Sequence, residues 1–350
     1  MAGPTAWSPC GRLLAGTVLA ALAATAAPLL TYGTSLALFG LAHVLVELRY
    51  VDQRFGARVQ ARLRGVLLLL LAGVVGARAA RVSGLLDPGI AMLAEVGLAA
   101  ALAAAVVPAL ARGGRLPPLV AGLVALALGA ATLIAPEAAL LAVAVLHNLT
   151  PLGFLAEALP RPARRPLVLA SAALVGLPLL VATGLPFRAL AGVGLVAPEA
   201  TILPTGPLAD QFSAYLPPSL HLSTWALHAF SGAVVAQCAH YGAVLHVLPR
   251  LPLPAGTAPT VVPWPAARPF LLGVAALSAA LLVGFFLDFR QVRQIYGVAA
   301  ALHAWIELPI LLLALSAYSL TRTSPTANDA ALAMTDASAA RGAPSGTRRP

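Results

Sequence analysis

Two pairs, each a histidine followed four residues later by a glutamate, interrupt an otherwise apolar chain. His43 and Glu47 lie in GLAHVLVELRY, and His303 and Glu307 lie in ALHAWIELPIL. On an α-helix this spacing places both side chains on one face, about one turn apart. Ionisable groups at membrane depth are costly, and they usually point into a helical bundle and carry a function. The two pairs therefore predict one shared site between two helices.

Two more histidines are expected at a similar depth, which makes metal binding the first chemistry to consider. Neutral imidazole is the commonest protein metal ligand, and imidazole combined with carboxylate suits iron, zinc or manganese. Helical bundles build such sites from side chains of facing helices. The predicted metal ligands are His43, His147, His240 and His303. Glu47 and Glu307 are the predicted catalytic groups, which would bind the metal, orient the imidazoles or move protons.

The composition is typical of a membrane protein. The chain has 350 residues, of which 60% are hydrophobic and 10% are charged, and its mean hydropathy is +0.89. A soluble globular domain carries far more charge. All 22 basic residues are arginine and the formal net charge is +10, which the positive charge of cytoplasmic loops explains. We therefore predict the lipid bilayer as a partner and no nucleic acid.

The predicted fold is all-α, a polytopic bundle of about ten transmembrane helices. A span needs roughly 20 apolar residues, and proline and glycine mark the breaks between spans. The predicted helices cover residues 14–31, 33–49, 64–81, 89–110, 117–135, 137–158, 166–184, 219–248, 267–287 and 293–319. Residues 1–320 form the predicted transmembrane domain. Residues 321–350 lack apolar periodicity and form a predicted disordered cytoplasmic tail.

The arginines orient the predicted bundle. Counted over alternate connections, seventeen lie on one side, and the five on the other side are Arg78, Arg81, Arg188, Arg290 and Arg293. The arginine-rich side is cytoplasmic by the positive-inside rule, which puts both termini in the cytoplasm. The bias toward alanine, glycine, arginine and proline indicates a GC-rich bacterial genome. The predicted location is therefore the bacterial plasma (inner) membrane, crossed several times.

Two segments have alternative interpretations. The first apolar run, within residues 1–31, is typical of a first span but also of a cleaved signal peptide, because small residues near its end offer a cleavage site. Cleavage would leave nine helices in the same orientation. The external connection at 185–218 is either an ordered cap or re-entrant segment, as long loops are often functional, or a loosely packed surface connection.

The histidine segments resemble motifs of the Brp/Blh family of membrane β-carotene 15,15'-dioxygenases. The family's early motif is matched at Gly40, Leu41, His43 and Glu47. Ala42 stands where the family has proline. The segments CAHYGAVLH, with His240, and ALHAWIE, with His303, follow in the family's order. The resemblance implies a helical bundle in which four histidines hold iron for the oxidative cleavage of a carotenoid.

The leading functional hypothesis is an integral membrane iron oxygenase that acts on a lipophilic, carotenoid-like or lipid-like substrate. A b-type haem protein of quinone or electron transfer is an alternative, because two histidines of facing helices can be axial ligands. A proton-coupled transporter, in which the His/Glu pairs relay protons, and a structural protein, in which the histidines join helices, also stay open. The sequence contains no Walker loop, dinucleotide-binding glycine motif or serine-hydrolase elbow.

Overall fold

The computed structural model describes residues 7–56, 59–111, 115–159, 164–253 and 260–323. Within these ranges every regular element is helical. The all-α prediction is therefore confirmed for the part of the chain that the structure describes.

The first half of the chain forms long helices that often begin at proline. Their bounds are α1 (Trp7–Ala26), α2 (Pro28–Val51), α3 (Ala61–Val82), α4 (Pro88–Leu110) and α5 (Leu116–Ile134). Proline suits the first turn of a helix, where its missing N–H is not needed. The Asp87 carboxylate also caps α4, because it accepts hydrogen bonds from the backbone N–H groups of Gly89 (2.8 Å) and Ile90 (3.1 Å). A π-helical turn, Asp52–Gly56, extends α2.

The next two predicted helices are each interrupted by a turn. Their parts are α6 (Pro136–Leu146), α7 (Thr150–Ala158), α8 (Arg164–Ser171) and α9 (Leu177–Ala182). A 3₁₀ turn, His147–Leu149, separates α6 from α7. A π-helical turn, Ala172–Gly176, separates α8 from α9. The helix predicted at 137–158 is therefore two helices that meet at a histidine.

The connection between α9 and the next long helix, residues 183–225, is an ordered cap over one end of the bundle. It contains α10 (Leu185–Ala191), α11 (Leu208–Gln211) and two 3₁₀ turns, Phe212–Ala214 and Pro218–Leu220. Its buried side chains, which belong to the main core, are Phe187, Leu203, Leu208, Phe212 and Leu216. The Ala197 N–H donates to the Ala26 carbonyl (2.7 Å) at the end of α1. This burial favours the ordered-cap interpretation over a loose surface connection.

Three long helices complete the bundle. They are α12 (Ala226–Gly242), which continues through a π-helical turn (Ala243–Val247), α13 (Ala267–Leu287) and α14 (Phe289–Thr323). The helix predicted at 219–248 thus begins seven residues late, because residues up to Trp225 belong to the cap. The last helix continues to Thr323, so the first three residues of the predicted tail are helical. Residues 324–350 lie outside the described residues.

In the described residues, nine helical stretches are long and apolar enough to cross a membrane. They are Pro9–Ala26, Pro28–Gly56, Ala61–Val82, Pro88–Leu110, Leu116–Ile134, Pro136–Ala158, Arg165–Ala182, Ala267–Leu287 and Phe289–Ala314. The lengths and the apolar composition of these helices are those of a multi-pass membrane protein. The tenth predicted span, α12, is not among them, because its three histidines (with the π-helical turn) and Gln237 lower its hydropathy.

Other predicted boundaries are shifted by a few residues. The first two helices were predicted to end at residue 31 and begin at residue 33, with Pro28 and Gly33 marking the break, and the break falls at Ala27, directly before Pro28. Gly33 lies inside α2, where a Cβ atom would lie 3.3 Å from the Thr205 side chain and 3.4 Å from the Leu203 side chain of the cap. The first helix begins at Trp7 and not at residue 14, and it packs against both α2 and α12. A glycine inside an apolar run is thus a weaker break than a proline at a helix start.

The bundle is organised around α2, α12 and α14. Helix α12 packs against α1, α2 and α9, and α14 packs against α2, α3 and α4. Gly232 permits the close approach of α9 to α12, since a Cβ atom there would lie 2.7 Å from the Pro178 carbonyl oxygen. Helix α5 packs outside α4 and has a single buried residue, Ala121, as a helix that faces lipid does. The residues with chemistry therefore lie on the central helices.

Candidate metal centre

Five buried side chains with metal-ligand atoms converge between the three central helices. His43 and Glu47 come from α2, His240 from α12, and His303 and Glu307 from α14. Their relative exposure is 0% or 1%. On α2 and α14 the four-residue spacing puts both members of each pair on the face that points at α12. The two pairs thus form one cluster, as their spacing predicts.

The ligand atoms form two overlapping sets that share His240 and His303. One set adds His43, and the other adds Glu47 and Glu307. Within each set all ligand atoms lie within 4.8 Å of one another. The closest approach between histidines, 3.2 Å, joins the Nε2 atoms of His43 and His303. Nitrogen and oxygen donors at such separations can surround a single metal ion, and the donor types suit iron, zinc or manganese.

His147 joins the cluster from the 3₁₀ turn between α6 and α7. Its ring centroid lies 5.1 Å from that of His240 and 5.5 Å from that of His303. Pro151 has no N–H to donate to the His147 carbonyl four residues earlier, and the Thr150 hydroxyl donates to this carbonyl instead (2.8 Å). The fourth predicted ligand is therefore at the cluster, although it lies outside the two tight sets of ligand atoms.

Two of the histidines are oriented by their own helices. The Nδ1 atoms of His43 and His147 lie 3.2 Å and 3.3 Å from the carbonyl oxygens of Phe39 and Val143, one turn earlier. An Nδ1–H that donates to a carbonyl leaves the Nε2 lone pair available, which is the usual arrangement of a metal-bound histidine. His43 Nε2 points into the cluster, as its contact with His303 shows.

Several polar atoms of the cluster lack hydrogen-bond partners among the described residues. They are both carboxylate oxygens of Glu47 and of Glu307, both ring nitrogens of His240, and Nδ1 of His303. Nε2 of His240 does lie 3.2 Å from Oε2 of Glu47, but the two atoms are not aligned as a hydrogen bond. Buried polar atoms without partners are strongly unfavourable. A metal ion would satisfy most of them, so the residues fit such an ion.

A buried ion pair flanks the cluster and was not visible in the sequence. The Arg78 guanidinium of α3 binds both carboxylate oxygens of Glu95 on α4, with 3.0 Å from Nε to Oε2. The Trp305 indole N–H donates to the same carboxylate (2.9 Å), and Arg78 Nη1 donates to the Gly297 carbonyl (3.2 Å). Arg78 was assigned to the external side from sequence, whereas it points back into the bundle and fixes α14 beside the cluster.

A cavity of about 250 Å³ opens onto the cluster. Its floor includes the rings of His43, His147 and His303, and its far end lies under the cap, at Tyr215 and Arg293. Tyr215 donates a hydrogen bond to the Gln237 side chain. Burial raises the pKa of the Tyr215 hydroxyl well above its usual range, so this group stays protonated. The cavity therefore connects the cluster with the underside of the cap.

Tyr241 is a further aromatic residue of the site. Its ring stacks on that of His43, with centroids 4.0 Å apart, and its hydroxyl lies 3.5 Å from that of Tyr296. Tyr241 also borders a second groove, about 710 Å³, between α1, α2 and α12. Tyr241 separates the cavity at the cluster from this second groove.

The chain matches no protein-family model, no curated protein and no solved structure. The interpretation of the cluster therefore depends on its own geometry. The structure brings together all six side chains that the sequence singled out, on three helices and one turn.

Proposed function

We propose that this protein is a membrane metalloenzyme with an iron centre, held by His43, His147, His240 and His303, that oxidises a lipophilic substrate. The observation that carries the proposal is the buried set of histidine and glutamate atoms without hydrogen-bond partners. Glu47 and Glu307 complete the set as ligands or as acceptors that orient the imidazoles. Iron held mainly by histidines, with one position open, supplies dioxygen activation.

The packing of the histidine rings favours a metal ion over haem b. A porphyrin needs a slot between its two axial histidines, and the other histidines must lie outside the macrocycle. Here the ring centroids of neighbouring histidines are 4.9 to 6.2 Å apart, and rings from all four positions meet in one cluster. A proton relay stays open as the alternative, since Nε2 of His240 lies 3.2 Å from Oε2 of Glu47.

The cavity beside the cluster supports a substrate that partitions into the membrane. Alanine and glycine residues of α6 and α14 form part of its wall. Such a wall of small residues suits an apolar chain. The resemblance to the membrane carotene dioxygenases points in the same direction, and a carotenoid-like or lipid-like substrate is our proposal on that basis. We place the protein in the bacterial inner membrane with ten spans, α12 included, and with both termini in the cytoplasm.

The proposal is tested by metal analysis of the protein purified in mild detergent, together with its visible spectrum. We expect near-stoichiometric iron without a Soret band, and loss of most of the metal in His303→Ala. His246→Ala is the matched control, because His246 lies on α12 near His240 but outside the cluster. A Soret band would move the assignment to haem. Unchanged metal content in His303→Ala would refute the metal centre.

A further inference from the structure

The cavity at the histidine cluster has one end with an uncompensated positive charge. Arg293 lies at the cap end, where its guanidinium donates to Gln211 Oε1 (2.7 Å) and to the Tyr32 hydroxyl (3.2 Å). Both partners are neutral, and Arg293 forms no ion pair among the described residues. The other charged residues that line the cavity, Arg78 and Glu95, neutralise each other. The cap end therefore has a net positive charge.

A nearby carboxylate does not remove this charge. Asp210 lies in the outer recess beside Arg293, together with Arg290. It pairs with Arg290 at 3.5 Å, and both of these side chains are largely exposed to solvent. The carboxylate thus pairs with the outer arginine, Arg290, and the inner one, Arg293, lines the cavity. Partly buried arginine with only neutral partners is suited to bind a carboxylate or phosphate.

The rest of the cavity is suited to an extended apolar chain. Arg293 and His303 lie ten residues apart on α14, which corresponds to about 15 Å along the helix axis. The wall between them is formed in part by small residues, namely Gly297, Ala300 and Ala301. Small side chains leave room for a chain to lie against the helix. A ligand that occupies this length has its polar end at Arg293 and an interior carbon at the histidine cluster.

We infer that the cavity selects an anionic amphiphile, a long apolar chain with a carboxylate or phosphate head group. The head group binds Arg293 and the Tyr32 hydroxyl under the cap, and the chain lies along α14. The distance from Arg293 to the cluster then decides which carbon of the chain is presented to the centre. This inference names the substrate class of the proposed oxidase and so depends on the proposed function for its chemistry, though not for the binding itself.

The first test measures binding of palmitate, and of its uncharged analogue hexadecanol, to the protein in phosphatidylcholine nanodiscs. We expect palmitate to bind at least about tenfold more tightly than hexadecanol, since a charge-assisted hydrogen bond contributes about that factor. Phosphatidylglycerol as competitor identifies the source of the head group. Displacement of palmitate by phosphatidylglycerol assigns the site to a lipid phosphate, and lack of displacement assigns it to a free fatty acid. Equal binding of palmitate and hexadecanol overturns the inference.

The second test compares two arginines of the same helix. Arg293→Gln should weaken palmitate binding about tenfold, whereas Arg290→Gln, the exposed neighbour, should leave it unchanged. Arg293→Lys keeps the charge and should retain most of the affinity, which guards against a folding defect in the glutamine variant. Equal loss in the Arg290 and Arg293 variants would assign the effect to general surface charge and would contradict the site.

The failure of this inference can be told apart from failure of the proposed function. Palmitate binding is measured on protein as purified and after chelator treatment, and it should persist without metal because the head group lies far from the cluster. If the purified protein binds palmitate but contains no metal, the iron centre is refuted and the binding site stands. If the protein contains metal but does not prefer palmitate to hexadecanol, the inference of an anionic amphiphile is refuted and the iron centre stands. A series from hexanoate to palmitate adds a readout, since only the longer chains should perturb the visible spectrum of the centre.

Discussion

His147 differs from the other histidines of the cluster in how its backbone is held. The others lie within continuous helices, whereas His147 begins a 3₁₀ turn between two short helices. Asn148 donates to the Ala144 and Val145 carbonyls (3.0 and 3.1 Å), and Thr150 donates to the His147 carbonyl. The Thr150 bond satisfies the His147 carbonyl that Pro151 leaves without its α-helical donor, and the Asn148 bonds hold the end of α6. The cluster thus has three histidines on rigid helices and one on a turn that local side chains stabilise.

The ion pair between Arg78 and Glu95 gives a prediction at the residue scale. Glu95→Gln leaves the Arg78 charge without a carboxylate in a mostly buried site, since Glu95 is 2% exposed and Arg78 26%. We expect a loss of about 3 kcal/mol in the free energy of unfolding, with metal content unchanged. Thermal unfolding in mild detergent measures it.

The double variant Arg78→Gln/Glu95→Gln should recover part of this loss, because no unpaired charge remains. Glu137→Gln is the control, as Glu137 is exposed at the start of α6, and it should unfold like the unchanged protein. A double variant less stable than Glu95→Gln would contradict the role of the unpaired charge.

At the residue scale, the sequence predicted which histidine and glutamate side chains meet, but it missed the other contacts between helices. The pairs His43/Glu47 and His303/Glu307 follow from a spacing of four. The pairing of Arg78 with Glu95, the stacking of Tyr241 on His43 and the exposure of Arg293 to the cavity depend on which faces of separate helices meet. That is decided by packing, which no single segment of the sequence specifies.

Helix contacts provide a prediction at the scale of elements. Gly232 of α12 faces α9, and a Cβ atom there would lie 2.7 Å from the Pro178 carbonyl oxygen and 3.0 Å from the Ala182 Cβ atom. Because backbone cannot move aside cheaply, Gly232→Ala should separate the two helices and destabilise the protein by about 1–3 kcal/mol. The loss is measured by thermal unfolding in the same detergent.

Gly129→Ala on α5 is the matched control. No atom lies within 4 Å of the position that its Cβ atom would take, and alanine favours the helix by about 1 kcal/mol over glycine. Its thermal stability should stay the same or increase. Equal destabilisation by both substitutions would show that the contact between α9 and α12 is not the cause.

The predicted helices were correct in type more often than in their bounds. Apolar stretches of about 20 residues are recognised by length alone, and nine of the predicted ten are such stretches in the described residues. The errors fall where helices contain π or 3₁₀ turns, as at residues 147–149 and 172–176. These turns depend on hydrogen bonds one residue longer or shorter than the α-helical bond, which apolar periodicity does not reveal.

The orientation of the whole molecule is a prediction that cysteine labelling checks. If the positive-inside assignment is right, Leu222→Cys in the exposed part of the cap reacts with a membrane-impermeant maleimide in intact cells. Arg62→Cys at the start of α3, also exposed, should react only after the membrane is permeabilised. The unchanged chain, with Cys10 and Cys238, is the blank. The reverse pattern would invert the topology.

The polar character of α12 has a consequence for the synthesis of the chain. Segments inserted one at a time must favour lipid over water by themselves, and histidine and glutamine oppose this. Helix α12 carries both, and it is the one long helix at the cluster that falls short of the hydropathy of a membrane span. Its packing partners α1, α2 and α9 all precede it in the chain. We therefore expect α12 to enter the membrane only against helices that have already left the ribosome. The order in which the helices are synthesised would then set the order in which the histidine cluster assembles.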